Sequence, residues 1–433
     1  MSTPNRSASL LLVAVAASVA VTSLAIPENA PDTGVWLGGA VNLSPFIEAG
    51  YIHDTNPNNV RKQKESLLAE NGVNSKESAD GYVVRPGLNI AIPGNCWKLA
   101  GRAYYSMLRY SEDSVDDRDD WGESFAFSGE TDGGLMWRLD ESIVQVDLEE
   151  QFVDDFPNNF STHDRIEMTF GGSLSKRITE KCRLEVGGSY SKTDYDFEEL
   201  YDYERYGGRL SFAHVLTEKT DWTATASHTI HTQKSNSDEM EDTNDDTSST
   251  KFLLGLKSRS TERMTFDVQG GIEFYEGNET EDGSSNDKTA FTYALGANWK
   301  PTERLAVSLR GLGEYEPSED VYGSAVDTKS IGLTASYRFF ERLIASAGIS
   351  YRREEYERHI SKITAANGNP YSVDDINGHS RDDDTIQLSG RLTYSLNNFA
   401  SLYASVTYYE LTSTIDDFEY DRTRYGFGAM IRY

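Results

Sequence analysis

Seven histidines are the residues with which this chain could most readily perform acid–base or metal chemistry. His53 and His163 each precede an aspartate, and His228 and His231 are three residues apart. Side chains of a strand alternate between two faces, so residues three apart lie on opposite faces and cannot share one metal ion. The chain has no Gly-x-Ser-x-Gly and no His-Glu-x-x-His motif. The pattern therefore predicts neither an enzyme nor a cofactor.

Acidic residues outnumber basic residues 70 to 41, which gives a net charge of −29. Proteins that bind nucleic acids rely on Lys and Arg to neutralise phosphates, so we predict no nucleic-acid binding. Much of the acid is grouped in segments that are typical of exposed connections, where it keeps a surface solvated. Clustered carboxylates are also ligands for Ca²⁺ or Mg²⁺. The candidates for such weak divalent binding are Asp116, Asp117, Asp242 and Asp245.

The first 25 residues have a different composition from the rest. Leu10–Val21 is an apolar run, and Ser23 and Ala25 supply the small residues of a cleavage site. The run is too short for a membrane-spanning helix, which needs about 20 apolar residues. We predict a secretory signal peptide at 1–25, an irregular lead-in at 26–40 and a single domain at 41–433.

From residue 41 onwards the chain repeats a hairpin of two strands joined by a tight turn. In residues 289–299, Phe291, Tyr293 and Leu295 alternate with small or polar residues, and a turn at Pro301–Glu303 follows. Period-two alternation places one set on each face of a sheet. One face is aliphatic and aromatic and the other is polar, which predicts an all-β protein.

Three features favour a transmembrane barrel over a soluble sandwich. The predicted strands have about 10–13 residues, as a tilted crossing of an apolar band about 25 Å tall requires, whereas soluble strands average about 5–6. Short turns alternate with longer acidic connections, as in outer-membrane barrels. Aromatic residues crowd the ends of the apolar face, as in interfacial girdles. These aromatics are Trp97, Tyr105, Trp137, Tyr190, Trp222, Trp299, Tyr337, Tyr351 and Tyr394.

The turns determine the strand count of this antiparallel up-and-down barrel. With a first strand at Val41–His53 and a last at Arg422–Tyr433, eight turns give 18 strands. Sixteen is the alternative, because the segment from Gly122 to Leu139 is interrupted by glycines. The predicted turns are Pro93–Cys96, Leu139–Ser142, Lys176–Lys181, Leu216–Thr220, Arg259–Arg263, Lys300–Glu303, Phe340–Arg342 and Leu396–Phe399.

The polar face of the strands is predicted to line the lumen. Basic residues outnumber acidic ones on this face, which predicts a pore that favours anions, unless the charges pair along the wall and only stiffen it. The pore-lining candidates are Arg102, Arg138, Arg209, Arg310, Arg338, Arg391, Glu130, Asp147, Asp267 and Glu314. The odd–even alternation of faces along a strand, here called parity, also predicts further inward residues. These are Arg304, Asp132 and the tyrosines Tyr104, Tyr275, Tyr403 and Tyr409.

Two local patterns resemble known families. Apolar residues alternate back from the terminal Tyr433, which resembles the last strand that outer-membrane barrels present to their assembly machinery. Leu43-Ser44-Pro45 followed by Tyr51-Ile52-His53-Asp54-Thr55-Asn56 resembles the β-barrel porin family often encoded beside exopolysaccharide genes. This resemblance implies an outer-membrane pore, with polysaccharide export as one use, and it supplies no catalytic residues.

We therefore expect a channel in the outer membrane for polar solutes or saccharides. The alternative is a non-conducting surface barrel that acts in adhesion through its long acidic connections. Expected partners are outer-membrane lipid, lipopolysaccharide, the barrel assembly machinery and the transported solute, and further copies of the chain if it forms a homo-oligomer. The sequence does not identify the solute or the direction of transport.

Deleting Tyr433, or replacing Phe427 with Asp, is expected to abolish assembly of the barrel. The last strand must pair with the first, because an unpaired backbone group in lipid costs several kcal/mol. The measurement is the heat-modifiable band in outer-membrane fractions. Normal amounts of folded protein from both variants would contradict this view of the terminal strand.

Overall fold

The computed structural model describes residues 34–37, 40–57, 78–112, 115, 117–147, 164–195, 201–235, 245–277, 287–317, 325–356, 381–414 and 419–433. The expected signal peptide lies outside these ranges. Within them, no helix has the length and apolar character that a membrane crossing requires.

The described residues form a three-residue strand and eighteen long strands. Each long strand has 12 to 17 residues, long enough to cross the apolar part of an outer membrane at a tilt. The strands are β1 Val35–Leu37, β2 Val41–Asp54, β3 Ala79–Pro93, β4 Trp97–Tyr110, β5 Arg118–Glu130, β6 Leu135–Asp147, β7 Asp164–Arg177, β8 Cys182–Tyr195, β9 Tyr201–Thr217, β10 Thr220–Ser235, β11 Asp245–Thr261, β12 Met264–Glu276, β13 Lys288–Trp299, β14 Leu305–Pro317, β15 Ala325–Phe340, β16 Leu343–Tyr356, β17 Asp382–Ser395, β18 Ala400–Ser413 and β19 Tyr420–Arg432.

Consecutive long strands pair antiparallel, and β19 pairs with β2 to close the sheet. The predicted antiparallel barrel of 18 strands is confirmed, and the alternative of 16 is wrong. The short β1 pairs with the start of β2, with Val35 opposite Leu43. β1 therefore pairs with the edge of β2 just beyond the point where β19 ends. At that point the Tyr433 N–H donates to the Pro45 carbonyl at 3.0 Å.

One of the eight predicted turns was misplaced, and the other seven are confirmed. Leu139–Ser142 lies inside β6, where Leu139 pairs with Phe127 of β5. The turn is at residues 131–134, where Gly134 has a φ of 70° that favours glycine. The Gly134 N–H donates to the Thr131 carbonyl at 2.8 Å. Asp132-Gly133-Gly134 is itself a typical turn signal, but the sequence analysis treated the glycines of this segment as an interruption of a strand.

The apolar side chains of the strands lie on the outside of the barrel. Phe291 is 72 % exposed and Leu254 is 67 % exposed, as expected for side chains in contact with lipid rather than with a protein core. Residues opposite each other in neighbouring strands share a face, so the register assigns every strand residue to the outer or inner surface. The predicted girdle aromatics fall on the outer surface, with Trp97, Trp137, Trp222, Trp299, Tyr337 and Tyr394 near the short turns and Tyr105, Tyr190 and Tyr351 nearer the long connections.

The motif at Tyr51–Asn56 joins β2 to β19 at the seam of the barrel. The Asp54 carboxylate is fully buried and accepts hydrogen bonds from Arg422 Nε at 2.9 Å and Arg424 Nε at 3.0 Å. The Thr423 N–H donates to Thr55 Oγ1 at 2.8 Å, and Asn56 Nδ2 donates to the Asp421 carbonyl at 3.0 Å. Polar contacts of this motif therefore extend the pairing beyond the last backbone hydrogen bonds.

The orientation of the barrel can be measured with the natural cysteines. Cys96 lies in a short turn and Cys182 at the turn end of β8, and both are expected to be periplasmic. An impermeant maleimide should label S237C, placed between β10 and β11, on intact cells. The parent protein should react only after the outer membrane is permeabilised. Labelling of the parent on intact cells would show that the short turns face the outside, the opposite of the expected topology.

Asp54→Ala is expected to destabilise the barrel by about 3–5 kcal/mol, because it leaves the buried Arg422 without its counter-ion. The matched control is Lys192→Ala, which removes an ion pair with Asp194 at 2.7 Å on the more accessible outer surface and should cost about 0–1 kcal/mol. The measurement is urea unfolding in lipid vesicles. Equal losses in the two variants would contradict a special role for the seam.

Candidate functional site: the barrel lumen

Eight of the pore-lining candidates face away from the exposed apolar side chains. The alternation of each strand and its register place six arginines on the inner surface: Arg102, Arg138, Arg209, Arg310, Arg338 and Arg391. Asp267 and Glu314 share this surface. Whether these residues line a conducting path stays a prediction.

The remaining predicted lumen residues lie at strand ends or in turns. Glu130 is the last residue of β5, and Asp147 ends β6 with a side chain outside the described part of the chain. Arg304 and Asp132 were predicted to face inward, but both belong to short turns and are exposed. The parity of a strand cannot be extended past its last residue, because a turn breaks the alternation.

One group of inner residues combines three arginines with aromatic rings, and we call it the arginine–aromatic cluster: Phe46, Glu48, Arg85, Arg102, Tyr104, Arg391 and Tyr403. The Arg391 guanidinium lies 4.1 Å from the centre of the Tyr403 ring, and that of Arg102 lies 4.7 Å from the Phe46 ring. Cation–π contacts of this kind hold a guanidinium in place without neutralising its charge.

Glu48 is the carboxylate of the arginine–aromatic cluster. It lies 3.5 Å from Arg85 Nη1 and 3.6 Å from Arg391 Nη2, farther than the 2.7–2.9 Å of close charge-assisted hydrogen bonds. Arg102 forms no ion pair with any described carboxylate, and its buried Nε has no hydrogen-bond partner. The cluster therefore keeps a positive charge and unsatisfied donors.

Glycines make room for the rings of this cluster. A Cβ at Gly50 or at Gly428 would lie 2.7 Å or 2.8 Å from the Tyr403 hydroxyl, and one at Gly122 would lie 2.8 Å from the Tyr104 ring. Real Cβ atoms do not approach so closely, so larger residues at these positions would displace the two tyrosines. The small inner residues of β2, β5 and β19 thus position the aromatic side chains of their neighbours.

A second group, near the long connections, is neutralised internally. Lys251 pairs with Glu314 and lies 3.3 Å from Glu273, which is fully buried. Glu273 also accepts a hydrogen bond from Ser249 Oγ at 2.5 Å and one from the Tyr315 N–H at 3.0 Å. Lys251 is thus matched by acids, unlike Arg102.

Several inner acids escaped the sequence analysis. Glu48 stands opposite Arg85, Asp140 pairs with Arg138 through Arg138 Nε at 2.6 Å, and Asp383 pairs with Arg381. The parity rule itself could have found Glu48, because it alternates with the outward Ile47. These acids reduce the predicted basic excess and confine it to inner arginines that lack a described ion-pair partner, among them Arg102, Arg183, Arg205, Arg310 and Arg338.

The candidates for divalent cations receive no support from the described residues. Asp117 accepts a hydrogen bond from the Tyr110 N–H at 3.0 Å and lies 3.4 Å from Arg109. Asp116 and Asp242 lie outside the described ranges, as does the side chain of Asp245. No group of three His, Cys, Asp or Glu within those ranges has the arrangement of a metal site.

Comparison with protein families gives a match over residues 161–433 to the family described as "Putative beta-barrel porin 2". The chain belongs to this family. The match begins before β7 and includes every strand from β7 to β19. This is a porin family and not an enzyme family, and an outer-membrane β-barrel is the structure it implies. No curated protein sequence matches the chain.

Several solved structures have similar strand arrangements at very low sequence identity. The siderophore receptor PirA from Pseudomonas aeruginosa has a TM-score of 0.44 at 9 % identity, with 90 % of this chain and 80 % of that chain covered. The FrpB iron transporter from Neisseria meningitidis (F3-3 variant) has a TM-score of 0.45 at 7 % identity, with 90 % and 82 % covered. We draw nothing from either about what this porin-family barrel transports.

Proposed function

We propose that this barrel is an outer-membrane channel for polar solutes, saccharides among them, and that its lumen favours anions. Export of exopolysaccharide is the more specific form of the proposal. Membership of a porin family supports the channel, and the resemblance at residues 43–56 supports the link to polysaccharide.

The observation that carries the anion preference is the arginine–aromatic cluster. Its arginines outnumber its single carboxylate, and Arg102 lacks any described ion-pair partner. Charges confined between low-dielectric walls attract counter-ions strongly. The acids of the outer connections are exposed to solvent, where salt at about 0.15 M screens them beyond roughly 8 Å. The lumen charge therefore outweighs the negative charge of the whole chain in selecting ions.

Planar-bilayer recording across a KCl gradient tests this function. We expect single-channel conductance with a reversal potential that indicates anion preference, and a smaller preference in Arg102→Ala and Arg391→Ala. The matched control is Arg353→Ala, because Arg353 lies on the outer surface with Glu355 at 2.8 Å. An oligosaccharide that bears carboxylates should block the current at lower concentration than a neutral one of equal length.

The outcomes separate the parts of the proposal. Conductance without anion preference would exclude the proposed role of the arginine–aromatic cluster in selectivity. It would still support the function as a channel. Cation preference that disappears when acids 238–246 are neutralised would assign selectivity to the connection between β10 and β11. A folded barrel without conductance would overturn the channel and favour a surface barrel that acts in adhesion.

A further inference from the structure

Two carboxylates interrupt the apolar outer surface of the barrel at mid-height. Glu141 is the central residue of β6, and Glu123 stands beside the centre of β5. The register pairs Glu141 with Phe125 and with Phe170, which is 41 % exposed, and it pairs Glu123 with Ile143. Both acids therefore lie on the surface that faces lipid.

This position is unusual in the molecule. Within the described strands, no other Asp, Glu, Lys or Arg occupies an outward position at mid-strand. The other outward charged residues lie near strand ends, mostly in pairs such as Lys192 with Asp194 and Lys329 with Asp327. Glu123 and Glu141 form no hydrogen bond or ion pair with a described residue.

An unpaired carboxylate is unfavourable in the hydrocarbon part of a bilayer. The cost falls towards the interfaces, which agrees with the placement of all the other outward charges. Two acids next to each other at mid-height are better explained by contact with a protein surface than by contact with lipid. That surface must offer a hydrogen-bond donor or a cation at the same height.

The chain itself carries such a donor elsewhere on its outer surface. His228 lies at the middle of β10, is exposed, and bonds through Nδ1 to Thr250 Oγ1 at 2.9 Å. This contact occupies Nδ1, and Nε2 has no partner among the described residues. With Nδ1 accepting from the Thr250 hydroxyl, or with the ring protonated, the Nε2–H of His228 is a donor that faces the membrane. His228 is the ninth residue of β10 and Glu141 the seventh of β6, both counted from a short turn.

We propose that the β5–β6 surface of one copy binds the β10 surface of the next copy, with Glu123 and Glu141 against His228. The contact is heterologous, because a two-fold contact through β5–β6 would place carboxylates against carboxylates. β6 and β10 are four strands apart on a wall of eighteen. An arc of this size suits a closed ring of about three or four copies around an axis normal to the membrane.

Cysteine cross-linking tests the contact in a Cys96→Ser, Cys182→Ser background. The variant with both Leu139→Cys and Ala226→Cys, outward neighbours of Glu141 and His228 on the same strands, should form a series of cross-linked oligomers when outer membranes are oxidised with copper phenanthroline. Each single variant alone should stay monomeric, and the two single variants expressed together should give dimers only. The matched control is Leu333→Cys with Val406→Cys, two outward mid-strand positions on β15 and β18, and it should not cross-link.

Other results would overturn the proposal. Dimers from Leu139→Cys alone would indicate a two-fold contact, and a product with a different protein would indicate another partner. A heat-modifiable double variant without cross-links would exclude the contact. As a second measurement, Glu123→Gln with Glu141→Leu should abolish the oligomer on native gels and leave the monomer folded. An unchanged oligomer would also contradict the pairing.

Discussion

The need to pair every backbone N–H and C=O inside the membrane determines the form of this protein. A sheet with a free edge would leave several such groups unsatisfied in hydrocarbon, each at a cost of several kcal/mol. The pairing of β19 with β2 removes that edge. Side chains add contacts where the backbone pairing of these two strands ends. There Asp54, Thr55 and Asn56 bind groups of β19. The Tyr51–Asn56 motif is thus explained by closure and not by contact with a solute.

Closure then separates two surfaces with different electrostatic rules. On the inside, charges are tolerated and most are matched, as Lys251 is by Glu314. The arginine–aromatic cluster departs from this balance, since its guanidinium groups rest on rings rather than on carboxylates. An aromatic ring holds a cation and leaves its charge available to a solute. The proposed anion preference follows from this difference and not from the overall composition, which is strongly acidic.

On the outer surface, charged side chains are almost excluded from the part that faces lipid, so the few that occur there are informative. Among the described acids and bases, only Glu123, Glu141 and His228 interrupt the apolar band between the aromatic girdles. Because lipid cannot satisfy a carboxylate, their position points to a protein neighbour. The same reasoning does not apply to the inner charges, which water and opposite charges can satisfy. The barrel therefore has two independent features with functional meaning, one in the lumen and one on the wall.

The amino-acid sequence by itself determined the class of the fold, the number of strands and most of the turns. Period-two alternation over long strands is a local property, and so are the tight turns and the terminal pattern ending at Tyr433. The turn at Thr131–Gly134 was missed because its glycines, a typical turn signal, were treated as an interruption of a strand. Parity also fails at strand ends, which is why Arg304 and Asp132 were wrongly placed in the lumen.

Only the tertiary structure decided which charges meet. Asp54 and Arg422 are 368 residues apart and are joined by closure of the sheet. Glu48 receives Arg85 from the next strand and Arg391 from across the seam, a combination that no spacing in the sequence indicates. The outward position of Glu141 also needed the true turn, since the misplaced turn would have put it at the membrane edge. Alternation assigns a residue to a face, but pairing depends on register and closure, which are set by contacts between distant strands.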